Sequence, residues 1–195
     1  MFVIVRHGNT FENGEPSRRV GARTDLPLTA AGLAQARALG AHFAAQGLAF
    51  EQVLVSPLTR TCQTAAEILD HMPQAPEAQV AEWLREIDHG PDENATEDVV
   101  LARIGTEALA AWDEHAVPPP GWRVDGKARI AAWRDHFLST RGPALLVTSN
   151  GAARFALVAA GLSAGSSMKL PTGGYGVIHR DEGMTMTLTE WGRRP

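Results

Sequence analysis

Residues 2–8 read Phe-Val-Ile-Val-Arg-His-Gly: four β-prone apolar side chains, then an abrupt change to polar and small residues. So short an apolar run, without polar alternation, predicts a buried strand, and Arg6-His7-Gly8 then falls in the loop at its C-terminal end. Two more runs of the same kind follow, Gln52 to Val55, closed by Ser56-Pro57, and Ala144 to Val147, closed by Thr148-Ser149-Asn150-Gly151. Between them lie helical patterns. Thr29 is an N-cap, Leu33, Ala36, Gly40 and Phe43 share a face, and Gly47 is the stop. Ser56 at the N-cap and Pro57 at the first helical position predict a second helix running to about Leu69. Thr96 to His115, with Val99, Ile104 and Leu109 as apolar positions, Lys127 to Arg141, and Ala152 to Ala160 complete the helices. His71 to Pro91 reads as irregular. Tyr175–His179 and Met184–Leu188 read as strands around the turn Asp181-Glu182-Gly183.

The order β, α, β, α, α, α, β, α, β, β predicts an α/β chain: a three-layer α/β/α arrangement around a mainly parallel sheet. With 195 residues, one domain spanning 1–195 is expected, with 71–126 as a lid or insertion. In such sheets ligands bind beyond the carboxyl ends of the strands. Arg6-His7-Gly8, Ser56 to Arg60 and Ser149-Asn150-Gly151 should therefore meet.

Composition narrows the function. Hydrophobic residues are 44% and the net charge is -4, which argues against a nucleic-acid or membrane-surface partner, since those need a basic excess. Cys62 stands alone, so no internal disulfide or cysteine-based zinc site is expected. The start, MFVIVRHG, lacks the pattern of a signal peptide, and no run of apolar residues is long enough to span a bilayer. The expected location is the cytoplasm. No Walker loop, GxGxxG or HExxH occurs, so neither cofactor nor metal is expected.

A single histidine at a strand end usually serves as a hydrogen-bonded structural residue. His7 differs in its company. Arg6 precedes it, Gly8 permits close backbone approach, and Arg60 follows the second strand. Two guanidiniums beside an imidazole oppose its protonation and keep it nucleophilic. Their planar forks also match phosphoryl oxygens. Arg18, Arg19 and Arg23 in the first loop are candidates for the remote part of an anionic substrate, or for a solvated loop face.

These residues resemble a family, the histidine phosphatase superfamily, also called phosphoglycerate mutase-like. The likeness extends to Asp25-Leu26-Pro27-Leu28-Thr29 with Gly32 and Gln35-Ala36, to Ser56-Pro57-Leu58 with Arg60 and Gln63-Thr64-Ala65, and to Leu84, Glu86 and Gly90. It implies a phosphoglycerate mutase-like fold. It implies that His7 is the nucleophile that becomes phosphohistidine, that Arg6, Arg60 and Asn13 hold the phosphoryl group, and that Glu86 is the acid for the leaving oxygen and then the base for water. Burial or a neighbouring carboxylate such as Asp88 is expected to raise the pKa of Glu86. One position departs. Asn150 stands where the resemblance implies a second histidine, and its amide donates hydrogen bonds to phosphate without carrying charge. Arg154 likewise comes one residue earlier than the resemblance implies. Among the other histidines, His89 is the one expected nearest the phosphate, while His42 and His136 are expected at the surface. The activity implied is a metal-independent phosphohydrolase acting on a small phosphorylated metabolite, as monomer or homodimer. A phosphoglycerate mutase and a degenerate phosphate-ligand binder are the alternatives.

Overall fold

The computed structural model describes residues 1–165 and 167–195. Six strands form one sheet: β1 (Phe2–Arg6), β2 (Gln52–Val55), β3 (Gln79–Val80), β4 (Ala144–Thr148), β5 (Tyr175–Arg180) and β6 (Met186–Arg193), in the order β3-β2-β4-β1-β5-β6. The first four are parallel, whereas β5 and β6 pair antiparallel. Among the described residues five α-helices flank the sheet: α1 (Ala30–Ala45), α2 (Thr59–Leu69), α3 (Glu97–His115), α4 (Gly126–Ser139) and α5 (Asn150–Ala160). Among the described residues no helix is long and apolar enough to cross a membrane.

The layers follow from the two-residue period of a strand. Val3, Val5, Val53, Val55, Leu145 and Val147 face one side, where Leu39 and Phe43 of α1 and Ile68 of α2 cover them. Phe2, Ile4, Leu54 and Leu146 face the other, against Trp112, Trp133, Phe137 and Phe155. Buried on both faces, these strands carry apolar residues at nearly every position. Register then aligns their ends. Arg6 lies opposite Thr148 and Val55 opposite Val147, so the three polar loops leave the sheet at one edge.

Helix α1 starts as expected, with Thr29 Oγ1 accepting the Gly32 N–H at 3.1 Å. Helix α2 does not. It begins at Thr59, because the Asp25 carboxylate takes both the backbone N–H and the hydroxyl of Thr59 at 2.8 Å. The cap therefore comes from a distant loop rather than from Ser56, whose carbonyl instead accepts the Thr61 hydroxyl at 2.8 Å. Helix α5 starts at Asn150, two residues before the expected Ala152. Within the irregular 71–91 stretch, β3 adds a two-residue edge strand beside β2. In α3 it is Val100, not Val99, that is buried, and the helix breaks at Gly105, where φ is +79°. His136 is not at the surface: it is buried, with its ring edge-on to Phe2 at 5.7 Å. His42 is half-buried and bonds the Tyr175 hydroxyl at 3.0 Å.

Residues 18–24 are stitched to residues 87–97. Arg19 N–H donates to Ala95 O at 2.8 Å, Asn94 N–H to Arg19 O at 2.8 Å and Ala22 N–H to Ile87 O at 2.9 Å. The Glu93 carboxylate gathers the backbone N–H groups of Gly21, Arg23 and His89 and the hydroxyl of Thr24. Burial works against that charge, yet bonds from His89 and Thr24 outweigh it and hold Glu93 at about 2.

Candidate active site

His7 follows directly from β1 and is 6% exposed. Its Nδ1 lies 2.8 Å from Gly8 O. A carbonyl only accepts, so Nδ1 carries the proton and Nε2 presents its lone pair. Arg60 Nε donates to that lone pair at 3.2 Å. Burial first, then the guanidiniums of Arg60 and Arg6, hold the His7 pKa well below 6.5, against the opposing pull of the Gly8 bond. At neutral pH the ring is neutral with Nε2 as its nucleophilic atom. The turn that holds it depends on a close approach. A Cβ on Gly8 would lie 2.3 Å from Gly32 O, and one on Gly32 would lie 2.2 Å from Asn9 O. Only glycines let the loop sit this tightly on the start of α1.

Arg6 and Arg60 serve differently. Arg6 donates from Nη1 to Leu170 O at 2.7 Å, has no partner on Nε, and lines the cavity beside His7. Burial, above all, brings its pKa to about 10, so it remains charged at neutral pH. Arg60 is fully buried behind the imidazole. Its Nη atoms donate to the carbonyls of Thr24 at 2.8 Å, Gly21 at 3.2 Å and Val20 at 3.3 Å. Arg60 is not on the cavity wall; in this arrangement it fixes His7 and the first loop.

Glu86 reaches the site from the chain after the 3₁₀ turn Glu82–Leu84. That turn is tied to β4 by the Thr148 hydroxyl, which donates to Leu84 O at 2.6 Å. The buried Glu86 carboxylate accepts Ile87 N–H at 2.9 Å and Gly151 N–H at 3.0 Å. Glycine at 151 leaves the carboxylate its place: a Cβ there would lie 2.3 Å from Glu86 Oε1, so the Glu86 side chain would have to shift. Asp88, the expected neighbouring carboxylate, is turned to Arg23 at 3.0 Å and Arg123 at 3.7 Å instead. Asn150 opens α5, and its Oδ1 accepts Leu170 N–H at 2.9 Å. That bond fixes the amide, leaving Nδ2 as its donor group. One residue, Leu170, thus holds Arg6 through its carbonyl and Asn150 through its N–H.

These side chains border one open cavity of about 730 Å³. Arg6, His7, Glu86 and Asn150 line it together. Asn13 also borders it, but from the exposed outer loop. Arg18 and Arg19 are on the wall, with Arg19 paired to Glu97 at 2.7 Å; Arg23 is not. His89 is not on the wall either. It is buried edge-on to Trp122 at 4.6 Å, with Glu93 at 3.7 Å. Asn9, Lys169 and Thr172 line the cavity as well and were not singled out in the sequence. Thr172 donates to Asn9 Oδ1 at 2.5 Å. The one sequence signal for them was adjacency, Asn9 to the His7 turn and the other two to the entry into β5.

The arrangement puts a neutral imidazole, a carboxylate held by two backbone N–H groups, a charged guanidinium and a helix N-terminus on one pocket. The helix end adds partial positive charge. The pocket is suited to an anionic group attacked by His7 while Glu86 moves a proton.

The sequence model of the histidine phosphatase superfamily (branch 1) matches residues 2–192. A 2,3-bisphosphoglycerate-dependent phosphoglycerate mutase of Methylobacterium sp. strain 4-46 is 34% identical over 165 residues, covering 81% of this chain and 78% of the relative. Among solved structures, a mycobacterial glucosyl-3-phosphoglycerate phosphatase superposes with a TM-score of 0.80 at 19% identity, covering 100% of this chain and 99% of the other. A proposed α-ribazole-5′-phosphate phosphatase of Escherichia coli K-12 gives a TM-score of 0.74 at 25% identity, covering 99% and 96%.

Proposed function

The chain belongs to the histidine phosphatase superfamily and is an enzyme of the phosphatase or mutase kind, and from that premise we propose that it is a metal-independent phosphohydrolase of a small phosphomonoester, working through phosphohistidine. The observation that carries this reading is the state of His7: neutral, with its proton on Nδ1 bonded to Gly8 O and its lone pair on Nε2.

The steps follow from those atoms. The Arg60 Nε–H bond to His7 Nε2 opens as substrate enters, the freed Nε2 lone pair attacks phosphorus, and the bond from phosphorus to the ester oxygen breaks. Glu86, having taken up a proton, gives it to the departing alkoxide. Imidazolium character develops on the phosphorylated ring, and the Nδ1–H bond to Gly8 O stabilises it. Arg6 and the Asn150 amide hold the equatorial phosphoryl oxygens, with the start of α5 behind them. Glu86, now a carboxylate, removes a proton from water. The water oxygen attacks phosphorus, the bond to Nε2 breaks, and inorganic phosphate leaves. Asn13, on the outer loop, supports the far side of the phosphate or the leaving group. Stretch 71–126 contributes Glu86 and closes one wall, as a lid does. The proposed setting is the cytoplasm.

Hydrolysis is favoured over mutase chemistry by the openness of the cavity. The wall at 12–17 is exposed, so water reaches the phosphohistidine. The mutase reading rests on the 34% identical relative. A screen of phosphorylated metabolites, with and without chelator, tests the proposal. Release of inorganic phosphate from at least one phosphomonoester, undiminished by chelator, is the expected result. Isomerisation of phosphoglycerate without net phosphate release replaces it with the mutase reading. Ligand binding without turnover replaces it with the degenerate one.

A further inference from the structure

The cations on the cavity wall are Arg6, Arg18, Arg19 and Lys169. Arg19 is held in a bidentate pair with Glu97, at 2.9 and 2.7 Å. Arg18 stacks over Phe11, 5.3 Å from its ring centre, in the outer loop. Arg60 has its guanidinium committed to His7 and three carbonyls, and Asn150 is neutral. Among the described residues, Arg6 is left as the one full cation on the cavity wall beside His7 for a dianionic phosphoryl group. Lys169 is placed to be the second. It directly precedes Leu170, whose carbonyl holds Arg6 and whose N–H holds Asn150. Its side chain is 48% exposed, and its ammonium is paired to Asp113 Oδ2 at 2.6 Å.

That pair is easily exchanged. The ammonium end is half-exposed and lysine is a point charge on a flexible stem, so it can move, whereas Asp113 is mostly buried and must keep a compensating charge. Asp113 does not lose all compensation when the ammonium leaves. The buried Arg154 guanidinium lies 3.6 Å from its other oxygen, stacked on Trp112 with 4.0 Å to the ring centre. Asp113 thus sits between a fixed cation and a movable one.

We propose that Lys169 leaves Asp113 when substrate binds and contacts the transferring phosphoryl group, supplying the positive charge that Asn150 lacks. This rests on the phosphoryl-transfer reading of the site. Lys169 forms and breaks no bond to phosphorus. It neutralises charge that grows on the phosphoryl oxygens as Nε2 attacks and the leaving oxygen departs.

The test uses p-nitrophenyl phosphate, whose phosphate is its one ionic group under assay conditions, together with titration of inorganic phosphate by calorimetry. Lys169→Gln is expected to lower kcat on the order of 10–100-fold, with Lys169→Arg retaining most of it. In an Asn150→His background the same Lys169→Gln change should cost much less, because the introduced ring supplies charge at the same group. A purely structural lysine would not show that dependence. Phosphate affinity should also weaken in Lys169→Gln. If the wild-type chain turns over no phosphomonoester, the phosphohydrolase reading falls while the calorimetry still decides Lys169. Unchanged phosphate affinity in Lys169→Gln, or unchanged kcat in an active enzyme, overturns the proposal. So does a loss confined to substrates bearing a second acidic group, which would place Lys169 at the remote end of the ligand.

Discussion

The turns after β1 and β4 leave the sheet side by side, with Arg6 opposite Thr148, yet one carries a buried imidazole hemmed by guanidiniums and the other a neutral amide at a helix N-terminus. The first turn is built for one protonation state: Nδ1 on a carbonyl, Nε2 against Arg60, and glycine at 8 and 32 so that the loop closes down. The second is built from backbone donors. Gly151 N–H is taken by Glu86, Asn150 Oδ1 is taken by Leu170, and what remains for a ligand is an amide N–H₂ and a helix end. Nucleophile and acceptor walls are thus unequal. Preorganisation is concentrated on the β1 side, and the β4 side is short of charge.

Breaking the β1 side should have the largest effect. His7→Ala is expected to reduce phosphomonoester hydrolysis to background, because no other cavity residue stands in for Nε2; steady-state assay of phosphate release checks it. Glu86→Gln comes next. Losing the proton donor should lower kcat for an alkyl phosphate by roughly 10²–10⁴-fold. The loss should be much smaller for p-nitrophenyl phosphate, whose leaving group needs little protonation. Equal losses on both esters would assign Glu86 a structural role through Gly151 and Ile87 instead.

A buried histidine outside the pair separates burial from guanidinium fields. Burial alone lowers His136 to about 4, whereas His7 also feels Arg60 and Arg6. Both rings are neutral when folded and take up protons on unfolding. The unfolded state is therefore favoured as pH falls below 6.5, and the His136 contribution stops growing near its folded value of about 4. Between pH 7 and pH 4 this contribution is about 3 kcal/mol. Denaturant unfolding at the two pH values should show a loss smaller by about that amount in His136→Gln. An identical loss in both proteins contradicts the neutral, buried assignment.

Charging the β4 side should have the smallest effect and the opposite sign. Asn150→His is expected to raise kcat by about tenfold in a Lys169→Gln background, where the ring restores a missing charge at the phosphoryl transition state, and by much less in the chain that keeps Lys169. An equal gain with and without Lys169, read as kcat on p-nitrophenyl phosphate, would mean that Lys169 does not supply that charge.

The sequence placed the framework of this comparison well, for a local reason. Runs such as Phe2–Val5 and Ala144–Val147 are short, apolar and closed by polar turn residues, which favours buried strands, and parallel register then brings their ends together. Thr29 and Gly47 mark α1 because capping is chemistry between near neighbours. What local pattern missed depends on distant partners. Asp25 caps α2 from 34 residues away and displaces the start implied by Ser56-Pro57. Arg60, expected at the site from its residue type, does meet His7 Nε2 through its Nε, but the contacts of its outer donors with the carbonyls of residues 20, 21 and 24 are ones no local pattern shows. His89 lies three residues from Glu86, yet it turns to Trp122 and Glu93. Lys169 and Thr172 reach the site because the segment leading into antiparallel β5 passes the end of β1, a route that no periodicity encodes.

The most direct test of the account is to mix the enzyme with a phosphomonoester, quench within a turnover at alkaline pH, and map the phosphorylated peptide by mass spectrometry. One phosphoryl group on His7, lost on acid treatment and absent from His7→Ala, is the predicted result. A phosphoryl group on another residue, or turnover undiminished in His7→Ala, would contradict it.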